Sequence, residues 1–219
     1  MILYTVTGQV GEEGYLAIEK SGDLTGKNVY VNMTNRCPCN CTFCLRHTKK
    51  LMESNTLWLK EGEPSVEKMM ELFSHYDLRV IKELVFCGFG EPLERLYDVC
   101  QVIDGLKKTY PDLKVRLNTI GLANLIYEKD VTPELEGRFD TVSISLNAPT
   151  AEEFLELTRS RYGIASYEAI KEFVVLAKRY VPNVVMTVVE KVMPQEKIDL
   201  CKKICNELGV TLRVRPFEV

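Results

Sequence analysis

The stretch Val29-Tyr30-Val31-Asn32-Met33-Thr34-Asn35-Arg36-Cys37-Pro38-Cys39-Asn40-Cys41-Thr42-Phe43-Cys44-Leu45-Arg46 decides how the chain is read. Its first six residues alternate apolar and polar side chains, the period of a strand with one apolar face and one wet face. The residues that follow carry four of the chain's eight cysteines between positions 37 and 44. Thiolates crowded this closely repel one another unless a positive centre sits between them, so the loop points to metal. A half-polar strand feeding a thiol loop is the unit from which the rest is argued.

The same alternation recurs downstream. Arg116 and Asn118 interleave with Val115 and Leu117, Ser143, Ser145 and Asn147 with Val142, Ile144 and Leu146, and Arg213 and Arg215 flank Val214. Residues 2–7 and 15–19 alternate weakly about a Gly-rich turn, which predicts a small N-terminal β-hairpin. Strands are predicted at 29–34, 83–87, 114–118, 141–146, 184–190 and 211–217. Helical stretches are predicted near 65–76, 94–109, 122–136, 150–159, 166–180 and 195–208. Six strands alternating with helices imply right-handed βαβ crossovers and a parallel sheet. Helices must cover the apolar face, so the polar face must line a concave interior. The expected fold is α/β, an incomplete (β/α)6 TIM-like barrel of parallel strands with a wet cavity. The alternative is a closed core in which the polar residues pair with one another. Residues 1–27 are expected to be a hairpin and linker packed on the barrel, and 28–219 the partial barrel.

Composition narrows the function classes. The chain has 219 residues, 46% hydrophobic and 27% charged, with a formal net charge of −3. No apolar run approaches the ~20 residues of a membrane span. The N-terminus has no basic region of a signal peptide, so a cytoplasmic location is expected and no membrane partner. The slightly acidic balance argues against a nucleic-acid partner. In such a compartment cysteines indicate metal or redox chemistry before disulfides.

Cys37-x3-Cys41-x2-Cys44 offers three thiolates, which would leave one iron of a cluster without a protein ligand. An open coordination position marks a metal that binds substrate or cofactor. The alternative is structural zinc with His47 as fourth ligand. Cys39 is out of register, either a bystander thiol or an alternative ligand. Gly88-Phe89-Gly90-Glu91-Pro92 follows the second strand after the loop, Asn118-Thr119-Ile120-Gly121 ends the next, and Ser143-x-Ser145-x-Asn147 rides on the one after. Inward Arg116, Arg213 and Arg215, with Arg46 and His47 beyond the loop, could form an anion-binding rim, because a guanidinium presents a planar fork to carboxylate or phosphate. Pairing with Glu190 or Glu218 is the competing reading. Cys87, Cys100, Cys201 and Cys205 need no function.

These motifs, in this order at successive strand ends, resemble the radical S-adenosylmethionine (SAM) superfamily. More narrowly, the run from Thr34 to Arg46 resembles the TatD-linked radical SAM proteins. The resemblance implies that Cys37, Cys41 and Cys44 hold a 4Fe–4S cluster whose remaining iron takes the amino and carboxylate groups of SAM. Phe43 would lie near the adenine. Gly88, Gly90 and Glu91 would receive the methionine ammonium, with Phe89 standing where the family's Gly-Gly-Glu has its first glycine. Asn118, Ser143, Ser145 and Asn147 would meet the cofactor's polar groups, and Val189 would pack on the adenine. The serines could instead serve ordinary strand pairing, and Val189 the core.

The implied activity is that of an enzyme. An electron donor such as flavodoxin or ferredoxin would drive reductive cleavage of SAM to a 5′-deoxyadenosyl radical, which abstracts hydrogen from a substrate that the arginines suggest is anionic. A functional link to a TatD-type hydrolase is implied as well. No residue is assigned as catalytic. Residues 45–63, bearing Trp58, and the hairpin are lid candidates. With nothing cluster-bearing after Val219, peptide maturation that relies on a second cluster is not expected. Two rivals remain: a non-catalytic iron–sulfur binding or regulatory protein, and a structural zinc protein.

Overall fold

The structure, a computed structural model, describes residues 1–8, 14–48 and 57–217, without the side chains of His47 and Thr48. Strands β1 (Leu3–Val6), β2 (Tyr15–Ala17), β3 (Asn28–Val31), β4 (Glu83–Phe86), β5 (Val115–Thr119), β6 (Thr141–Ser145), β7 (Asn183–Val189) and β8 (Thr211–Arg215) form one sheet in the order β2-β1-β3-β4-β5-β6-β7-β8. From β4 onward each strand runs parallel to its predecessor. β1 and β2 are antiparallel, and β1 also pairs antiparallel with β3, Tyr4 opposite Tyr30. This antiparallel pair therefore extends the sheet beyond β3 at one edge.

After the short α1 (Leu45–Thr48) the crossovers are made by α2 (Val66–Phe73), α3 (Leu96–Thr109), α4 (Ala123–Ile126), α5 (Ala151–Thr158), α6 (Ala165–Ala177) and α7 (Gln195–Glu207). Ser65 and Thr150 cap α2 and α5 by accepting from the N–H groups of Lys68 and Glu153, which satisfies donors that a helix start leaves orphaned. The helices bury Met69, Val99, Ile103, Ile170 and Phe173 against the outer sheet face, where Val29, Leu84, Phe86, Val115, Leu117, Val142 and Ile144 are all fully buried. Alternate residues Tyr30, Arg116, Asn118 and Ser145 are only half-buried. The two-residue period thus sorts each strand into a packed face and a wet one.

Curvature follows from what shares the wet side. Tyr4 and Tyr30 near one sheet edge and Arg213 and Arg215 on the other edge strand line a single cavity. A flat sheet would hold β1 six strand spacings and β3 five from β8. No helix among the described residues is long and apolar enough to cross a membrane.

Two predicted elements end early for local reasons. The strand expected over 29–34 stops at Val31, because Asn32 turns its side chain to the Leu57 carbonyl (2.6 Å) and Thr34 Oγ1 accepts from Arg36 N (2.9 Å). The helical stretch expected over 122–136 breaks after α4. Glu128 takes a positive φ of 54°, and Asp130 accepts from the backbone N–H and hydroxyl of Thr132, starting a separate 3-10 turn at Thr132–Leu135. Short acidic side chains bond the nearby backbone in just this way.

Candidate active site

The cysteine loop is held on both sides by backbone contacts. On one side Asn40 N and Thr42 N donate to the Thr158 and Leu157 carbonyls at the end of α5, both at 2.9 Å, and Arg161 N donates to the Pro38 carbonyl at 2.9 Å. On the other side Glu91 N donates to the Arg36 carbonyl at 2.7 Å. Side chains add a brace at the rear. Glu63 accepts from Thr34 Oγ1 and from the Arg36 fork, and Arg95 donates to the Met33 and Pro64 carbonyls.

Cys37, Cys41 and Cys44 are half-buried, whereas Cys39 is buried. Cys39 hydrogen-bonds Cys37 and Cys41, and these bonds, with burial, push its thiol far up. The same bond pulls the Cys41 thiol down, assisted by the charges of Arg46 and Arg215. Burial pushes Cys44 up. Burial and these contacts thus make the Cys39 thiol resistant to ionisation, with one proton to share between its neighbours. Among the described residues no three His, Cys, Asp or Glu side chains converge on one point as a single ion demands. A cluster places its thiolates on different irons and makes no such demand.

The segment after β4 is pressed against this loop. A Cβ on Gly90 would stand 2.2 Å from the Thr34 carbonyl oxygen and 2.6 Å from that of Arg36, so only glycine fits. Gly88 has φ +149°, and a Cβ there would meet Asn32 Oδ1 at 2.3 Å. Glu91 is buried and ties this segment to the end of β5. Its Oε1 accepts from Leu93 N (3.1 Å) and Thr119 Oγ1 (2.7 Å), and its Oε2 from Ile120 N (2.7 Å). Burial pushes the carboxyl up to about 7 against the pull of those donors.

Two adjoining cavities open on the concave face. One, of about 320 Å³, is lined by Cys37, Cys39, Cys41, Cys44 and Phe43, and also by Ser145, Asn147 and Val189. The other, of about 350 Å³, is lined by Glu91, Asn118, Arg116 and Arg213, with tyrosines from the hairpin side. Gly88, Gly90, Ser145 and Arg215 line both. Asn118 Oδ1, Ser143 Oγ and Asn147 Oδ1 are buried with no hydrogen-bond partner in the structure. Buried polar atoms are normally paired, so orphans clustered on β5 and β6 suit a polar ligand. Asn147 sits just past β6 at φ 58°, a left-handed conformation that asparagine tolerates better than most residues. Four thiols on one cavity wall, a glycine cradle and unpaired amide oxygens at Asn118 and Asn147 form a donor set that fits an iron–sulfur cluster and a polar cosubstrate.

The structure brings most of the expected residues together and leaves a few apart. Ser143 lies beneath Ser145 and lines neither cavity. Arg46 stands over the Trp58 ring at 5.7 Å, outside both linings. The His47 side chain, Glu218 and residues 49–56 of the expected lid lie outside the described residues. Arg116 is paired with Glu83 at 3.0 Å, a partner not foreseen because it depends on the β4–β5 register. Asn32, read as an inward polar residue, serves the scaffold. Sequence reading missed Tyr4, Tyr15 and Tyr30. It also passed over Cys87, which lines the second cavity and lies 3.3 Å from the Tyr4 hydroxyl. One tyrosine in each of three short strands, β1, β2 and β3, was the available signal.

Residues 31–204 match the family model of the Radical SAM superfamily. Among solved structures, SuiB from Streptococcus suis bound to precursor peptide SuiA superposes with a TM-score of 0.63 at 13% identity, covering 89% of this chain and 40% of SuiB. A radical SAM methyltransferase from Sphaerobacter thermophilus gives a TM-score of 0.60 at 16% identity, over 99% of this chain and 67% of that one. At these identities the likeness is one of fold, and the chain spans about two fifths of the length of SuiB. No curated protein matches it in sequence. With four strand-end motifs meeting at one pair of cavities and the family model matched over most of its length, the chain belongs to the radical SAM superfamily, whose members are enzymes that use a 4Fe–4S cluster and S-adenosylmethionine.

Proposed function

We propose that this chain cleaves SAM reductively on a cluster held by Cys37, Cys41 and Cys44, within an incomplete (β/α)6 barrel formed by residues 28–219. The single observation that carries the reading is the shared wall of the two cavities. The thiols and Asn147 line one cavity, Asn118 lines the adjoining one, and Gly88, Gly90 and Ser145 line both. Bound there together, cluster and SAM supply a 5′-deoxyadenosyl radical for hydrogen abstraction.

The chain's own residues position and exclude. Cys39 keeps its proton, so it donates to the ligand thiolates without competing for iron. Gly90 lets the β4 loop lie against the cysteine loop, bringing backbone groups beside the metal. Glu91 spends three acceptor positions on the scaffold and has one left for the methionine ammonium, since a carboxylate offers about four lone-pair sites. A cation beside it favours loss of its proton. Asn118, Ser145 and Asn147 supply oxygens for ribose and carboxylate, Phe43 and Val189 pack beside the adenine, and Ser143 supports Ser145 from below. Arg46 and Arg215, which draw the Cys41 thiol toward its anion, favour the thiolate that iron needs. Arg116, Arg213 and Arg215 face an anionic substrate.

The electron donor is a small one-electron carrier such as flavodoxin or ferredoxin, in keeping with a cytoplasmic setting. The link to a TatD-type hydrolase rests on the loop from Thr34 to Arg46 alone. The test is anaerobic reconstitution followed by dithionite reduction with SAM. Release of 5′-deoxyadenosine is expected. Cluster formation without release would leave a non-catalytic iron–sulfur protein. One equivalent of zinc and no cluster absorption would leave a structural zinc protein.

A further inference from the structure

The second cavity has two walls of unlike chemistry. On one side Tyr4, Leu57 and Phe89, with half-buried Tyr15 and Tyr30 packed on them, form an apolar cluster separate from the main core. Tyr4 and Tyr30 stack with centroids 5.3 Å apart at 21°, and Tyr15 meets Tyr4 edge-on at 5.8 Å. Tyr4 is buried, with its hydroxyl against Cys87 Sγ, so the inner ring is fixed while Tyr15 and Tyr30 line the cavity. Phe89, where the family motif has glycine, belongs to this wall and to both cavities. The bulky residue that departs from the motif thus separates the two compartments.

On the other side stand Arg116, Arg213 and Arg215. Arg116 already has Glu83. Among the described residues no ion pair or side-chain hydrogen bond is made by Arg213. Burial and the like charges of Arg116 and Arg215 act against its cation, and Glu83 offsets them only in part. A guanidinium crowded by like charges gains from an anion that binds its fork. A preformed aromatic wall gains from a flat ring laid on it. About 350 Å³ lies at the small end of small-molecule sites.

We infer that this cavity takes a small molecule with a flat aromatic or heteroaromatic ring bearing one anionic group, a carboxylate or a phosphate, the ring against Tyr15 and Tyr30 and the anion at Arg213. The inference rests on the neighbouring cavity being the cofactor site. Glu91 and Asn118, which the proposed function gives to SAM, also line this cavity, so the ring takes its Tyr15, Tyr30 and Arg213 side and lies beside the cofactor across Phe89 and Ser145.

The test is calorimetric titration of reconstituted, oxidised protein, saturated with SAM, with phenyl phosphate and with benzoate. Inorganic phosphate, acetate and benzyl alcohol serve as the separated halves. At least one aryl anion should bind about tenfold more tightly than either of its halves, and the tighter of the two names the anionic group. Arg213→Gln should weaken the aryl anion about tenfold and leave benzyl alcohol unchanged. Tyr30→Leu should weaken both. Arg213 lies on an exposed edge strand, so its replacement is not expected to unfold the chain. Aryl anions that bind no better than their halves, that compete with SAM, or that ignore Arg213→Gln would overturn the inference. Cluster absorption and SAM binding are read on the same samples, so loss of those with retained aryl-anion binding counts against the cofactor assignment alone. The cavity walls contain no cluster ligand, and the same titration of metal-free protein tests the site if no cluster assembles.

Discussion

The thiol cavity and the tyrosine–arginine cavity share a wall, yet they are fixed by different kinds of contact. Around the thiols, backbone meets backbone: Asn40, Thr42 and Arg161 hydrogen-bond across to or from α5 and the loop, and Gly90 lies within 2.2 Å of a carbonyl oxygen at its would-be Cβ. Around the tyrosines and arginines, side chains meet side chains across neighbouring strands, as in the Tyr4–Tyr30 stack and the Arg116–Glu83 pair. Backbone contacts of this kind leave no side chain to rotate away and, at Gly90, tolerate no added atom. Side-chain contacts can rotate, exchange partners or admit water. The first cavity is built to hold one fixed geometry, and the second can be adapted to a particular substrate.

The largest expected effect breaks the thiol cavity outright. Cys41→Ala removes a ligand, and iron content, cluster absorption and 5′-deoxyadenosine release should all fall to background. Cys39→Ala removes only a donor, and the cluster should still assemble. Equal loss of iron in both variants would make Cys39 a ligand and void the distinction drawn within the loop. Next is Gly90→Val. Its Cβ meets backbone oxygens that cannot rotate away, so urea denaturation should show a loss of about 3 kcal/mol or more, with cluster loading lost even in protein that still folds. A variant as stable as the parent would mean that the two loops are not in fixed contact.

These two predictions sit where the sequence was most legible. Strand order, the inward parity of Arg116, Asn118, Ser143 and Ser145, and the glycine need after β4 all follow from local periodicity and spacing. Three features did not. The anchoring of Glu91 by Thr119 and Ile120 needs the β4 and β5 ends to be brought together. The Arg116–Glu83 pair needs the register that sets Val85 opposite Arg116, and a slip of one residue would reverse every side chain. The tyrosine wall needs the hairpin to join the sheet beside β3 and the sheet to curl toward β8. Curvature is a property of the whole sheet, and no short window carries it.

Glu91 gives an intermediate effect with a definite sign. Its carboxyl is raised from the ordinary 4.5 to about 7, burial being the cause. The folded state therefore favours the protonated form. That stabilisation is complete below the unfolded value and is lost as the pH rises through the folded one. Stability of the metal-free parent should fall by on the order of 2–3 kcal/mol between pH 4.5 and 8 relative to Glu91→Gln, which has nothing to titrate. SAM should restore more stability at pH 8 than at pH 5.5, because its ammonium favours the ionised carboxylate. Parallel pH profiles for parent and variant would show that the three donors outweigh burial and hold the carboxylate charged throughout.

The smallest effect tests the claim about backbone contacts most directly. Arg36 carries the main side-chain brace behind the cysteine loop, a two-pronged bond to Glu63 at 2.9 and 3.0 Å. Its side chain is 55% exposed, however, so solvent screens the pair. Glu63 also keeps Thr34 Oγ1 and has Arg95 at 3.8 Å. Arg36→Met therefore removes one partner of three while leaving the Arg36 carbonyl to accept from Glu91 N. A cost of about 0.5 kcal/mol is expected, a melting shift of about 1–2 °C for a chain of this size, with iron content unchanged. Loss of iron from Arg36→Met at that small cost in stability would mean that side chains hold the thiols in place, and the contrast between the two cavities would fail at the site where it is drawn most sharply.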